Sequence, residues 1–204
     1  MSASAMYHFR PWEGVLYRSA GLEGVRILVL GESHYEWGGR PVQCPEETEL
    51  TEFCVREYQR KKKHQFWTRV TNMLSGDGRT DVGIWDRVAY YNFVQTLLEK
   101  HQRPTEAMWK DSVEPFQGVV QQLEPHCILA LGKSLWAHIP EGIHNSQLIT
   151  SSAESRPLRW FKISSAKTVP STFVNHPRSR QFTTARWRPV VQALLRAASS
   201  SAND

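Results

Sequence analysis

Four side chains that could do chemistry follow one another directly after an apolar run near the start of the chain. They are Glu32, Ser33, His34 and Tyr35, behind residues 27–31. A carboxylate can activate water or stabilise a developing cation, and an imidazole can donate or accept a proton. The segment is therefore a candidate active-site rim, and an ordinary polar loop is the alternative.

Polar side chains also stand at the ends of three later apolar or aromatic segments. They are Asn92 within residues 87–94, Lys133 and Ser134 after residues 126–132, and residues 175–180 at the end of a segment that starts at 169. Ligands of open parallel sheets bind outside the carboxyl ends of the strands. We therefore expect an acid, an amide, a histidine and several basic groups to share one edge of a sheet.

The segments that must position these groups show strand-like and helix-like hydrophobic patterns in alternation. Strand character is found in residues 25–31, 87–94, 126–132, 158–163 and 169–177. Helical patterns occupy residues 46–75, 103–125, 133–139 and 183–198. The alternation predicts an α/β fold, a three-layer α/β/α sandwich with a central, mostly parallel sheet of four to five strands.

Local signals refine the helices. Residues 46–75 are expected to form one or two helices that close at Gly76, and Thr105 is a plausible N-cap for the helix that follows it. Pro115 and Gly118 predict a bend in that helix, and Pro189 predicts a break or a new start in the last one.

The length and composition of the chain predict one domain over residues 1–198 and a disordered tail over 199–204. Of the 204 residues, 40% are apolar and 22% are charged, as in ordinary globular proteins. The apolar runs are too short to span a bilayer, and no export signal is evident. Three widely spaced cysteines, Cys44, Cys54 and Cys127, suggest neither a disulfide framework nor a zinc site. We expect a cytoplasmic monomer that does not associate with membranes.

The charge balance is basic, with 25 Lys and Arg against 20 Asp and Glu, a net charge of +5. This excess weakly favours a polyanionic partner. The eight tryptophans could build the core, cover a groove or stack on bases, and composition does not decide among these roles.

The order of these motifs resembles the uracil-DNA glycosylase superfamily. "VLGESHY" is similar to its first motif, G-[QEM]-x-P-[YG], and "VNHPRSRQF" is similar to its last, which begins His-Pro. Between them, "YYNFV", "RPTEAMW" and "VVQQLEPHCILALGKSLWAHI" follow the family's succession of strand asparagine, proline, long helix and short helix. The resemblance extends over about residues 25 to 196. It implies hydrolysis of the N-glycosidic bond that joins uracil, or another damaged or modified base flipped out of DNA, to its sugar.

The resemblance assigns roles one residue at a time. Glu32 matches the acid that activates water or stabilises the sugar cation, and His176 matches the histidine that meets a base carbonyl. Tyr35 would form a wall of the base pocket, and the Asn92 amide would bind the base edge. The structural alternatives are a capping acid, a core aromatic and a turn asparagine.

Further matches concern base stacking and the DNA backbone. Phe66 or Trp67 falls near the family's base-stacking phenylalanine, although packing within a helix would explain either. The candidate backbone contacts are Lys133, Ser134, Arg178, Ser179 and Arg180, with solvated loop residues as the alternative. We expect single- or double-stranded DNA as the partner.

The chain also departs from the family's pattern. His34, also a candidate base contact, replaces the usual proline, and Arg178-Ser179-Arg180 replaces the small or leucine residues after His-Pro, so Phe182 is a possible wedge. The iron–sulfur branch needs four cysteines, so no metal and no cofactor are expected.

Two other functions remain open on the sequence. A catalytically inactive nucleic-acid-binding module would keep the fold and lose the chemistry. A hydrolase using Ser33 and His176 is less favoured, because the chain has no G-x-S-x-G elbow.

Overall fold

The computed structural model describes residues 7–36, 46–76, 81–142, 147–163 and 167–201. The strands are β1 (Trp12–Glu13), β2 (Ile27–Gly31), β3 (His34–Tyr35), β4 (Ala89–Asn92), β5 (Leu97–Leu98), β6 (Cys127–Leu131), β7 (Gln147–Thr150), β8 (Ser155–Lys162) and β9 (Thr168–Val174). The α-helices are α1 (Leu50–Lys61), α2 (Gln65–Ser75), α3 (Glu106–Asp111), α4 (Val113–Leu123), α5 (Lys133–His138) and α6 (Thr184–Ser201). Short 3₁₀ segments cover Glu47–Glu49 and Val82–Asp86.

Within the described residues, the main sheet has seven strands in the order β1-β4-β2-β6-β9-β8-β7. The four central strands β4, β2, β6 and β9 are parallel, as predicted. The pairs β1–β4, β9–β8 and β8–β7 are antiparallel. The prediction of an α/β fold is therefore confirmed. The predicted sheet of four to five mostly parallel strands has too few strands and lacks the antiparallel pairs.

The difference has two physical causes. β1 is only two residues long, and β7 only four, so neither leaves a clear period in the sequence. Between β8 and β9 lie only residues 163–167, whereas a parallel connection needs a dozen or more residues. The fourth and fifth predicted strands must therefore form a hairpin.

Alternating side chains of the central strands feed two hydrophobic clusters. Ile27 and Val29 pack on the side of α1, α2 and α6. Leu28 and Leu30 pack on the opposite side with residues of α4, such as Phe116. Because both faces are covered, β2 and β6 are apolar throughout. In β9 the buried hydroxyls of Ser171 and Thr172 donate to carbonyls of β8.

The helices follow the sequence signals closely at their ends. Residues 46–75 contain two helices, with Lys62 in the left-handed region after α1 and Gly76 in that region after α2. The Thr105 hydroxyl caps α3 by accepting a hydrogen bond from the Met108 N–H at 3.3 Å. The predicted helix is interrupted at Ser112, between α3 and α4, and not at Pro115 or Gly118, which both lie within α4.

Helix α6 differs from its prediction at both Pro189 and the chain end. It continues through Pro189, and it reaches Ser201, so residues 199–201 are helical and do not belong to a disordered tail. The Ser199 and Ser200 hydroxyls donate to the carbonyls four residues before them, at 3.0 and 3.1 Å, which supports this last turn. Residues 202–204 lie outside the described residues.

Among the described residues, no helix has the length and apolarity needed to cross a membrane. Cys54 and Cys127 are buried, and Cys44 lies outside the described residues.

Candidate functional site

A cavity of about 830 Å³ lies at the carboxyl ends of β2, β4, β6 and β9. Every site residue predicted from the sequence lines it, except Arg180, which is exposed elsewhere. The predicted residues that line it are Glu32, His34, Tyr35, Phe66, Trp67, Asn92, Lys133, Ser134, His176, Arg178 and Ser179. The parallel register of the central strands therefore brings distant motifs into one concave site.

Glu32 presents a largely buried carboxylate at the end of β2. Its side chain is 12% exposed, and its Oε1 accepts a hydrogen bond from the Tyr35 hydroxyl at 3.0 Å. An Arg103 guanidinium nitrogen lies 3.9 Å from the same oxygen. Burial and the Glu32 charge raise the pKa of Tyr35, so this phenol remains a donor. Glu32 is followed by β3, so it does not cap a helix.

Gly31 makes room for a polar pair on the neighbouring strand. The Tyr90 hydroxyl donates to Asn92 Oδ1 at 2.8 Å, and Asn92 is only 3% exposed. A Cβ atom at Gly31 would lie 2.1 Å from the Tyr90 hydroxyl oxygen and 2.2 Å from Asn92 Oδ1. The glycine that ends β2 is therefore required by the side chains of β4.

His176 follows β9 and is held as a neutral imidazole. Its Nδ1 accepts a hydrogen bond from the Arg178 backbone N–H at 3.2 Å, so the ring proton resides on Nε2. Burial lowers the pKa of His176 to about 4, assisted by the charges of Arg178 and Arg103. At neutral pH His176 therefore offers the cavity one N–H donor without a positive charge.

The loop that carries His176 is tied to helix α2. Arg69 donates through one guanidinium nitrogen to the Pro177 carbonyl at 2.6 Å and to the Ser179 carbonyl at 3.0 Å. The Ser179 N–H returns a hydrogen bond to the His176 carbonyl at 2.8 Å. These contacts fix the backbone on which the imidazole stands.

The structure separates the two stacking candidates on α2. Trp67 is buried, with ring centroids 4.9 Å from Trp85 and 4.8 Å from Tyr90, so most of it belongs to the core. Phe66 is half-buried and lies 5.6 Å from the His176 ring at an angle of 40°. Phe66 therefore offers the freer ring face at the cavity.

His34 contributes to packing beneath the cavity. It is 6% exposed, its Nε2 is 2.9 Å from the Thr51 hydroxyl on α1, and its ring meets Phe9 edge-on at 4.9 Å. Burial lowers its pKa to about 3. The histidine that replaces the motif proline thus connects β3 to α1, and its Nε2 is engaged there.

The rim of the cavity is basic. Lys133, Ser134 and Arg178, the predicted backbone contacts, are exposed there. Sequence reasoning missed several other lining residues, namely His64, Tyr90, Lys100, His101, Gln102 and Arg103. For Lys100, His101, Gln102 and Arg103, the charged and polar run 99–103 was a signal in the sequence that could have pointed to the site. Phe182 is buried at 4% exposure and cannot serve as a wedge.

Hydrolase chemistry has little support at this site. The structure places no hydrogen bond between the Ser33 hydroxyl and His176, both of which are described. The Nε2 that would have to accept the serine proton already carries one, because Nδ1 is the acceptor. Among the described residues, no group of three or more His, Cys, Asp and Glu side chains could hold a metal ion.

No family model matches this chain, and no curated protein matches it. Among solved structures, it is similar to a domain of unknown function (DUF1537) from Bordetella bronchiseptica, a domain-swapped dimer with bound citrate. The identity is 13% and the TM-score 0.32, over 85% of this chain and 40% of that one. The chain thus spans less than half of that structure, and so low a score carries no conclusion about function.

Proposed function

We propose that this protein is a DNA glycosylase of the uracil-DNA glycosylase type. It would hydrolyse the N-glycosidic bond of uracil, or of another damaged or modified base, after that base has flipped out of DNA. The observation that carries the proposal is the meeting of Glu32, Phe66, Asn92 and His176 in one cavity. These are the residues to which the sequence resemblance assigns the acid, the stacking ring, the base-reading amide and the carbonyl donor.

The charges of the site suit the reaction. As the bond from the sugar to the base breaks, positive charge develops on the sugar and negative charge on the departing base. The Glu32 carboxylate can stabilise the sugar cation and accept a proton from the attacking water. The water oxygen then bonds to the sugar carbon, and the base leaves with the bonding electrons and takes up a proton.

His176 is suited to stabilise the negative charge that develops on the departing base. A neutral imidazole with its proton on Nε2 can donate a hydrogen bond to a base carbonyl as negative charge grows there. The Nδ1 contact to the Arg178 N–H fixes the tautomer in advance, and the low pKa keeps the ring neutral. The imidazole therefore needs little reorientation or proton transfer while the bond breaks.

The shape and the rim support a nucleic-acid substrate. A cavity of about 830 Å³ is large enough for a flipped nucleotide, and its entrance carries Lys100, Lys133 and Arg178. Such side chains can neutralise flanking phosphates. An inactive DNA-binding module would use the same rim, so the acid is the feature that separates the two functions.

The test is a panel of single- and double-stranded oligonucleotides, each with one uracil, hypoxanthine or other modified base. Alkaline cleavage after incubation reports the abasic site. We expect at least one base to be excised, and His176→Asn to slow its excision by about a hundredfold. His8→Asn, at an exposed histidine that is paired with Glu47 and does not line the cavity, is the matched control. Binding without excision of any base would favour the inactive module.

A further inference from the structure

Tyr90 lies against the cavity and has no part in the chemistry proposed above. It is 2% exposed, and its ring packs against Trp67, at 4.8 Å, and Trp85, at 5.9 Å. The two tryptophan rings also pack against each other, at 4.9 Å. Its hydroxyl therefore has a fixed position next to Asn92.

Tyr90 and Asn92 point to the same face of β4, because they stand two residues apart on one strand. Gly31 is the register partner of Asn92 on β2, and its missing side chain leaves the space that their hydrogen bond occupies. Burial raises the pKa of Tyr90 well above its usual value, so the hydroxyl keeps its proton and donates it. The acceptor is Asn92 Oδ1, at 2.8 Å.

This hydrogen bond sets which end of the amide is available to a ligand. With Oδ1 held by Tyr90, no residue in the described part of the chain accepts a hydrogen bond from the Asn92 Nδ2. If the amide were reversed, its NH2 group would face the Tyr90 hydroxyl, and two hydrogen-bond donors would meet. The Tyr90 proton could avoid this only by turning toward Cys54, a nearby thiol that accepts hydrogen bonds weakly. The amide is thereby held as a donor toward the cavity.

We propose that Tyr90 is a specificity-determining positioning residue: it orients the Asn92 amide so that the site accepts a base with a carbonyl oxygen at this edge and rejects one with an amino group. This inference rests on the proposed glycosylase function. An exocyclic amino group would meet the Nδ2 donor and remain unpaired in a buried site, which a site built for hydrogen bonding rejects strongly. Uracil and cytosine differ at C4 in this way.

Tyr90→Phe removes the hydroxyl and keeps the ring packed against Trp67 and Trp85. We expect uracil excision to slow by roughly tenfold and the preference for uracil over cytosine to fall by roughly tenfold to a hundredfold, since Asn92 can then turn its oxygen to the cavity. Single-stranded oligonucleotides remove the effect of the pairing partner, and kcat/KM is measured for each base.

Tyr58→Phe is the matched control, because Tyr58 also packs on Trp67 but donates to the Thr68 hydroxyl, at 3.3 Å, and does not line the cavity. It should leave the preference unchanged. Gly31→Ala displaces the same pair from the other side and should weaken the preference in the same direction. Excision by Tyr90→Phe with an unchanged preference overturns the role of Tyr90 and leaves the proposed function intact. If the unsubstituted protein excises no base, the proposed function fails, and the inference fails with it.

Discussion

Glu32 and His176 lie in one cavity but have different hydrogen-bond partners. Glu32 keeps a hydrogen-bonded carboxylate beside Tyr35, whereas His176 is kept neutral by burial and by a backbone donor at Nδ1. His34 is also neutral and buried, yet its Nε2 is engaged by Thr51. The same residue type therefore offers a free ring nitrogen to the cavity at one position and serves packing at another, according to the partner of its ring.

The low pKa of His34 gives a prediction for stability. Its pKa is about 3 in the folded protein, against an ordinary value of 6.5. The unfolded chain therefore takes up a proton at a higher pH than the folded protein does. The contribution to stability is complete above about pH 6.5 and is lost as the pH falls toward 3.

We expect His34→Gln to reduce the acid sensitivity of folding, because glutamine can still bond to Thr51 and does not titrate. Between pH 7 and pH 5 the free energy of unfolding of the unsubstituted protein should fall by about 2 kcal/mol more than that of the variant. Urea unfolding at the two pH values measures this difference. Equal losses in the two proteins would show that the buried imidazole does not titrate in this way.

At the scale of elements, the site depends on how α2 holds the loop after β9. Arg69 makes the two carbonyl contacts that fix this loop, and such charge-assisted bonds are stronger than neutral ones. We expect Arg69→Met to lower the excision rate by tenfold or more through displacement of His176, with a modest loss of thermal stability. Arg60→Met, an exposed arginine of α1 paired with Glu57, should change neither. An unimpaired Arg69→Met enzyme would mean that the loop holds its position without α2.

Gly31 on β2 packs closely against two side chains of β4, and a substitution can test this contact. Gly31→Ala places a methyl group within 2.2 Å of both polar atoms of the Tyr90–Asn92 pair. We expect a destabilisation of roughly 1–3 kcal/mol from the overpacked contact. Thermal unfolding measures it, with Gly24→Ala as a control at a glycine whose added Cβ meets nothing within 4 Å. Gly24 has a φ of 81°, so the control carries only the backbone strain.

The sequence predicted the central strands and the polar groups at their ends because both follow from simple patterns. An apolar run covered on both faces must end where the polar residues begin, as at Gly31 and Gly132. What it could not predict are contacts between distant segments, which leave no periodic trace. The hydrogen bond between His34 and Thr51 and the tautomer of His176 are of this kind. The loop around Arg103 was missed for the same reason.

At the scale of the whole molecule, the net charge of +5 is accompanied by basic side chains around the cavity entrance. Counterions released from DNA make binding through such groups sensitive to salt. The acid inside the cavity and the cations outside it would guide a polyanion to the rim and a base, not a phosphate, to the interior.

We expect the double variant Lys133→Gln, Arg178→Gln to bind DNA less tightly and with a weaker salt dependence. Removing one cation that neutralises a phosphate should reduce the slope of log affinity against log salt by about 0.9 for duplex DNA and about 0.7 for single strands. Fluorescence anisotropy at several salt concentrations measures this slope. Arg196→Gln, at a separate surface depression shared with Glu23, should leave it unchanged. Equal slopes for all three proteins would place the DNA on another surface.

The most direct test of the whole account is the excision of uracil from a single-stranded oligonucleotide under single-turnover conditions, with Glu32→Gln and Glu114→Gln compared. Glutamine keeps the size of Glu32 and removes its charge, while Glu114 is exposed on α4, away from the cavity. The account predicts excision by the unsubstituted protein and by Glu114→Gln, and a rate lower by about a hundredfold or more for Glu32→Gln. Excision by Glu32→Gln at the unsubstituted rate would contradict it, as would a failure of all three proteins to excise uracil or any other base of the panel.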